Sequence, residues 1–277
     1  MGDRPLCLAA RAGNTERVLT LIRGGADVNE FDSGNYWCPF ALWAACDGNH
    51  VLTAQALIEN GADMNSTNAD GETPILYFFG TEQIRRMLIN AGANLHAQNE
   101  FGENILSYVA RSKKHDLMVE LVSCGMDISH CDFYGNSVLH DAAALFTTGA
   151  NEDKIKIITT ILDLNADINT TNNHGDTALH TAATMGSEVA ARVLLQRNAS
   201  IRITNLKGFT AKQVAWRHNH TEIVRMIEDA EREEALQSQR LAIAMSLHPR
   251  LGDEASMSKL GMDIIATEVA KFLREQH

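Results

Sequence analysis

The sequence predicts an all-α solenoid of about seven helix-turn-helix units joined by hairpin loops, with a helical C-terminal extension. Three observations predict it. A closing element recurs as Gly25-Ala-Asp-Val-Asn29, Gly61-Ala-Asp-Met-Asn65, Gly92-Ala-Asn-Leu-His96, Gly125-Met-Asp-Ile-Ser129, Asn165-Ala-Asp-Ile-Asn169 and Asn198-Ala-Ser-Ile-Arg202. An opening glycine precedes each pair of helices after the first, at Gly34, Gly71, Gly102, Gly135, Gly175 and Gly208, and two of those intervals are 33 residues. Between the two marks, apolar residues fall at helical spacing.

The sixth unit shows the pattern best. Gly175 makes a turn, Thr177 supplies a side-chain oxygen to cap a short helix, and Gly186 closes it. A second helix over Glu188–Gln196 carries Val189, Val193 and Leu194 on one side. Asn198 ends it, because Asn follows only Gly in tolerating the left-handed conformation there.

These residues resemble the ankyrin repeat family. Gly71-Glu-Thr-Pro74, Ser137-Val-Leu-His140 with Ala142 and Ala143, and Thr177-Ala-Leu-His180 with Ala182 and Ala183 match its Thr-Pro-Leu-His and Ala-Ala pattern. The resemblance covers about residues 5–230. It divides the chain into a repeat domain, 1–230, with degenerate first and last units, and a helical extension, 231–277.

The units depart from the pattern in particular places. The first lacks its opening turn, as a capping unit does. The second carries extra residues, Asn35–Cys38, before a helix-opening Pro39, which puts Tyr36 and Trp37 either on an enlarged finger or folded over the next unit. The third is short, with Tyr77-Phe-Phe-Gly80 in place of the alanines, so its first helix loses about half a turn. The fourth places Arg111, Lys113, Lys114 and His115 at a solvated inter-helix turn. The fifth holds its excess residues between the helices, around 146–153. The seventh puts Lys212 where the pattern has a buried Leu, as a last unit with a polar outer side can. A helix then continues to about Leu247, and an amphipathic segment from Asp263 to Arg274 carries Ile264, Ile265, Val269, Phe272 and Leu273 on one side.

The net charge of −11 argues against nucleic-acid binding, which needs a basic stripe, and favours a basic partner surface. No apolar run approaches the length of a membrane span, and the start lacks a secretory apolar core. Cys7, Cys38, Cys46, Cys124 and Cys131 form no paired pattern, which points to a reducing compartment and a cytoplasmic location.

Catalysis is not expected. There is no phosphate loop and no nucleophile elbow, and Cys124, His130 and Cys131 lack the second paired set a zinc site needs. No cofactor or metal is assigned. His140 and His180 stand at the histidine of the family's Thr-Pro-Leu-His element, where the resemblance implies a structural hydrogen bond.

The resemblance instead implies a scaffold that binds a partner protein through a concave face of hairpin tips and first helices. The residues it places there are Tyr36, Trp37, Asp70, Glu72, Phe101, Glu103, Phe133, Tyr134, Asn136, His174 and Asp176. Exposed aromatics beside carboxylates are typical of interface anchors. Two other readings stand beside it. Leu260-Gly-Met-Asp-Ile-Ile265, followed by Val269 and Phe272, is similar to the start of an F-box-like helix, which implies a substrate receptor of a ubiquitin ligase. The other is an enzyme or small-molecule sensor.

Overall fold

The computed structural model describes residues 4–32, 39–77, 81–145 and 151–247. Tyr36, Trp37, the aromatic pair Phe78-Phe79 and the segment 260–273 lie outside them. Among the described residues the chain forms helices in antiparallel pairs and no strand. The pairs are α1 (Pro5–Arg11) with α2 (Thr15–Arg23), α3 (Ala41–Asp47) with α4 (Val51–Glu59), and α5 (Pro74–Tyr77) with α6 (Glu82–Asn90). They continue as α7 (Ile105–Arg111) with α8 (His115–Ser123), α9 (Val138–Ala144) with α10 (Asn151–Asp163), α11 (Ala178–Met185) with α12 (Glu188–Gln196), and α13 (Ala211–Arg217) with α14 (Thr221–Leu247).

First helices pack on first helices and second on second, as α7 on α9 on α11 on α13 and α8 on α10 on α12 on α14. The stack is therefore two layers deep. Its core is a continuous seam in which Leu106 and Ala110, Leu139 and Ala143, and Leu179 and Ala183 are each at most 1% exposed. Burying one such leucine contributes roughly 1.5–3 kcal/mol. An exposed ion pair such as Arg197–Asp163, at 2.7 Å, contributes at most about 1 kcal/mol. The seams, not the surface charges, hold the units together.

The expected caps are present. Thr177 Oγ1 accepts from the His180 amide at 3.4 Å, and Gly186 closes α11 at φ +66°. Asn165 and Asn198 adopt positive φ at the ends of α10 and α12. The hairpins are closed by isolated antiparallel bridges, Cys131–Ser137, Thr171–Thr177 and Thr204–Thr210.

Three expectations are corrected. Pro39 does not open α3: Phe40 is its extended N-cap residue, so the proline stands one position outside the helix. The excess in the fifth unit is not all loop, because Asn151, Glu152 and Asp153 form the first turn of α10, where carboxylates suit the helix dipole. Arg111 is not part of a solvated turn; it is half-buried in an ion pair with Glu103. In the third unit α5 is described over Pro74–Tyr77, and Phe78, Phe79 and Gly80, on which the expected shortening rests, lie outside the described residues.

Candidate functional site: the hairpin tips and the row beneath them

Each hairpin from the third unit onward is built by one side chain. Asn68 Oδ1 accepts from the amides of Asp70 and Glu72 at 3.0 and 2.9 Å. Asn99 does the same for Phe101 and Glu103, Asp132 for Tyr134 and Asn136, Asn172 for His174 and Asp176, and Asn205 for Lys207 and Phe209. Asn and Asp suit this role because their short carboxyl or amide group imitates a backbone turn. The signal is legible as Asn or Asp three residues before each opening glycine from Gly71 onward.

Backbone bonds then join successive tips. The Glu100 amide donates to Asp70 O at 3.2 Å, Phe133 to Phe101 O at 2.9 Å, Asn173 to Tyr134 O at 2.9 Å and Leu206 to His174 O at 2.9 Å. The opening glycine leaves room for the neighbouring tip. At Gly102, φ +79°, an added Cβ would lie 2.5 Å from the Phe133 ring. Phe133 therefore sits with one edge on the Gly102 backbone and the rest of its ring in solvent.

The proposed binding residues split into two rows. The outer row is exposed: Phe101 at 43%, Phe133 at 65%, Tyr134 at 54%, together with His174. Leu206, which sequence reasoning omitted, continues it at 79%. Asp70 is half-buried beside this row. The inner row is engaged within the chain. Glu72 accepts from Tyr108 Oη at 2.6 Å and Asn68 Nδ2 at 2.9 Å. Glu103 accepts from both Arg111 terminal nitrogens, at 2.5 and 3.1 Å, and from Asn99 Nδ2 at 2.8 Å. Asn136 accepts from Asn172 Nδ2 at 2.9 Å, and Asp176 accepts from Asn205 Nδ2 at 2.8 Å.

The inner row feeds a polar cluster that the sequence did not reveal. Arg111 also reaches Asp141 at 3.3 Å and lies over the Tyr108 ring at 4.9 Å. Burial raises the Asp141 carboxyl to about 6, against the lowering effect of Arg111 and the Ser107 hydrogen bond. Burial also acts to raise Glu103, but the bonds from Arg111 and Asn99 outweigh it and hold the carboxyl below its ordinary value. Burial and the Glu72 bond push the Tyr108 hydroxyl up. Glu103 and Asp141 thus place two carboxyl groups on the Arg111 guanidinium, and Glu72 joins the cluster one step away through the Tyr108 hydroxyl.

The histidines are structural. His140 Nδ1 accepts from the Ser137 amide at 3.1 Å, so Nε2 carries the proton and donates to Asp176 O at 2.9 Å. His180 repeats this with Thr177 at 3.2 Å and Phe209 O at 3.0 Å. In the second unit Trp43 takes the same position, and its indole N–H donates to Ser66 O at 3.4 Å. Among the described residues no group of three or more His, Cys, Asp or Glu side chains is placed to hold a metal ion, and no helix is long and apolar enough to cross a membrane.

Comparison with known proteins agrees with this architecture. The family described as ankyrin repeats matches residues 6–78, 75–172 and 145–234, and the chain belongs to that family. The ankyrin repeat domain of human ASB11 superposes with a TM-score of 0.62 at 25% identity, covering 77% of this chain and 92% of that one. The ankyrin repeat domain of Bcl-3, at 23% identity and a TM-score of 0.64, covers 81% of this chain and 99% of its own and shares the fold. Among curated proteins, the ankyrin repeat and KH domain-containing protein mask-1 of Caenorhabditis elegans is 34% identical over 91 residues, which is 32% of this chain. Human neurogenic locus notch homolog protein 2 is 28% identical over 162 residues, 55% of this chain. The chain spans 3% and 5% of the lengths of those two relatives, so the likeness is one of repeats. Ankyrin repeats are protein–protein interaction modules, and this chain carries seven helical pairs of that kind among its described residues.

Proposed function

We propose that this chain is a non-catalytic scaffold that binds a partner protein along its hairpin tips, with a basic and apolar partner surface. One observation carries the reading: the outer row of Phe101, Phe133, Tyr134 and Leu206 is exposed on tips already fixed to one another by backbone hydrogen bonds. Aromatic anchors held rigidly lose little conformational entropy on binding. The Asp70 carboxylate stands beside them, and the net charge is −11, so a Lys- or Arg-bearing surface is the complementary one. A reducing, cytoplasmic setting suits cysteines that form no paired pattern.

The test compares wild type with the double substitution Phe133→Ala and Tyr134→Ala in affinity purification with quantitative mass spectrometry. The leading partner is then titrated against both. We expect unchanged helicity and a loss of about 2 kcal/mol or more in binding. Equal affinity for the two proteins would remove the tips from the interface.

A further inference from the structure

The last unit ends the stack with an unusual residue. In the three preceding units the two positions that face the next unit are Leu106 and Ala110, Leu139 and Ala143, and Leu179 and Ala183, all buried. In the last unit they are Lys212 and Trp216. Lys212 is already covered by the chain itself: its Nζ lies 2.7 Å from Glu231 and 4.0 Å from Glu228 on α14. Trp216 is not, and is 73% exposed. A tryptophan at a seam position has the apolar area of several methyl groups and remains in water here.

α14 does not stop after nine residues as α12 does; it runs on to Leu247, and Glu234 on its extension pairs with Arg202 at 3.0 Å. A rise of 1.5 Å per residue carries the chain about 35 Å past Val224 by Leu247. Residues 248–259, fully extended, reach about 40 Å, which is enough to return. Beyond them the sequence holds the one concentrated apolar stripe of the C-terminal thirty residues: Leu260, Ile264, Ile265, Val269, Phe272 and Leu273.

We propose that residues 260–273 of this same chain close the open end of the stack by laying their apolar side chains on Trp216. The segment then does for the seventh unit what each later unit does for the one before it, and it buries the seam that the repeats alone leave open.

The experiment places p-benzoylphenylalanine at position 216 of the full chain, irradiates it and maps the products by mass spectrometry after separating monomer from larger species. The expected product is an intramolecular cross-link to residues 260–273 in the monomer. It is lost on Ile265→Asp with Phe272→Asp, while the helical signal and melting of the stack persist. A cross-link to a second copy, to another protein, to a different stretch of this chain, or no cross-link at all overturns the proposal. These outcomes leave the tip interface untouched, because Trp216 lies away from the outer row.

Discussion

Lys154 and Ser187 occupy the same position in successive units, 33 residues apart, and bond to each other. The lysine is 1% exposed, and its Nζ donates to Ser187 Oγ and to the Leu145 carbonyl at the end of α9. In two other units this position holds a histidine, His50 or His220, which reaches back to Arg11 O at 3.0 Å or Thr184 O at 3.3 Å. The lysine caps its own unit instead, because the longer connection leaves α9 without a left-handed close at Leu145.

Burial, with a smaller repulsion from Lys113, lowers the Lys154 amine from 10.5 to about 8. Between those values the unfolded chain binds more protons than the folded one, so the contribution to stability rises with pH. Urea unfolding at pH 7.5 and 9.5 should show a gain in wild type that Lys154→Met lacks. Parallel profiles for the two proteins would assign the titration elsewhere.

The histidines and Asp141 respond to acid with opposite sign. Burial holds His140 and His180 below their ordinary 6.5, so their contribution is present above 6.5 and is lost as pH falls through the lowered values. His180→Gln should keep the reciprocal N-cap, as Gln213 does with Thr210 at 2.9 Å, but lose the bond to Phe209 O. We expect a cost of about 1–2 kcal/mol at pH 7.5 and a shallower loss on acidification, both read from chemical denaturation.

Asp141 behaves conversely. Its carboxyl is raised from 3.8 to about 6, so its contribution is complete below 3.8 and is lost as pH rises through 6. Asp141→Asn should therefore raise the melting temperature at pH 7.5 and leave it unchanged near pH 3.5. A lower melting temperature at pH 7.5 would show that the Arg111 pairing outweighs the cost of burying the charge.

Two glycines separate conformational strain from contact. Gly61 and Gly102 both have positive φ, +91° and +79°, but an added Cβ meets nothing within 4 Å at Gly61 and the Phe133 ring at Gly102. Gly61→Ala should cost about 1 kcal/mol from the backbone alone. Gly102→Ala should cost more and displace Phe133, visible as reduced affinity for the partner and as a shifted aromatic signal by NMR.

The repeating skeleton was legible in the sequence because its marks are local. Thr177, Gly186, Asn165 and Asn198 each act within their own turn, and each does what its residue type predicts. The exposure of Phe101, Phe133 and Tyr134 was legible for the same reason, since a residue between a turn-forming Asn or Asp and a glycine has little choice but to project, although Leu206, between Asn205 and Gly208, was missed. The inner row was not. Glu72 and Glu103 look free along the chain, and only stacking brings Tyr108 to the first and Arg111 to the second. Lys154 was hidden because its partners come from the end of one helix and the start of another.

The tips are tied chiefly through amide and carbonyl groups that every residue type except proline possesses. Substitution of Phe101, Tyr134, His174 or Leu206 therefore leaves those ties in place. A lineage can rewrite what this edge recognises one side chain at a time without ever having to invent a new skeleton.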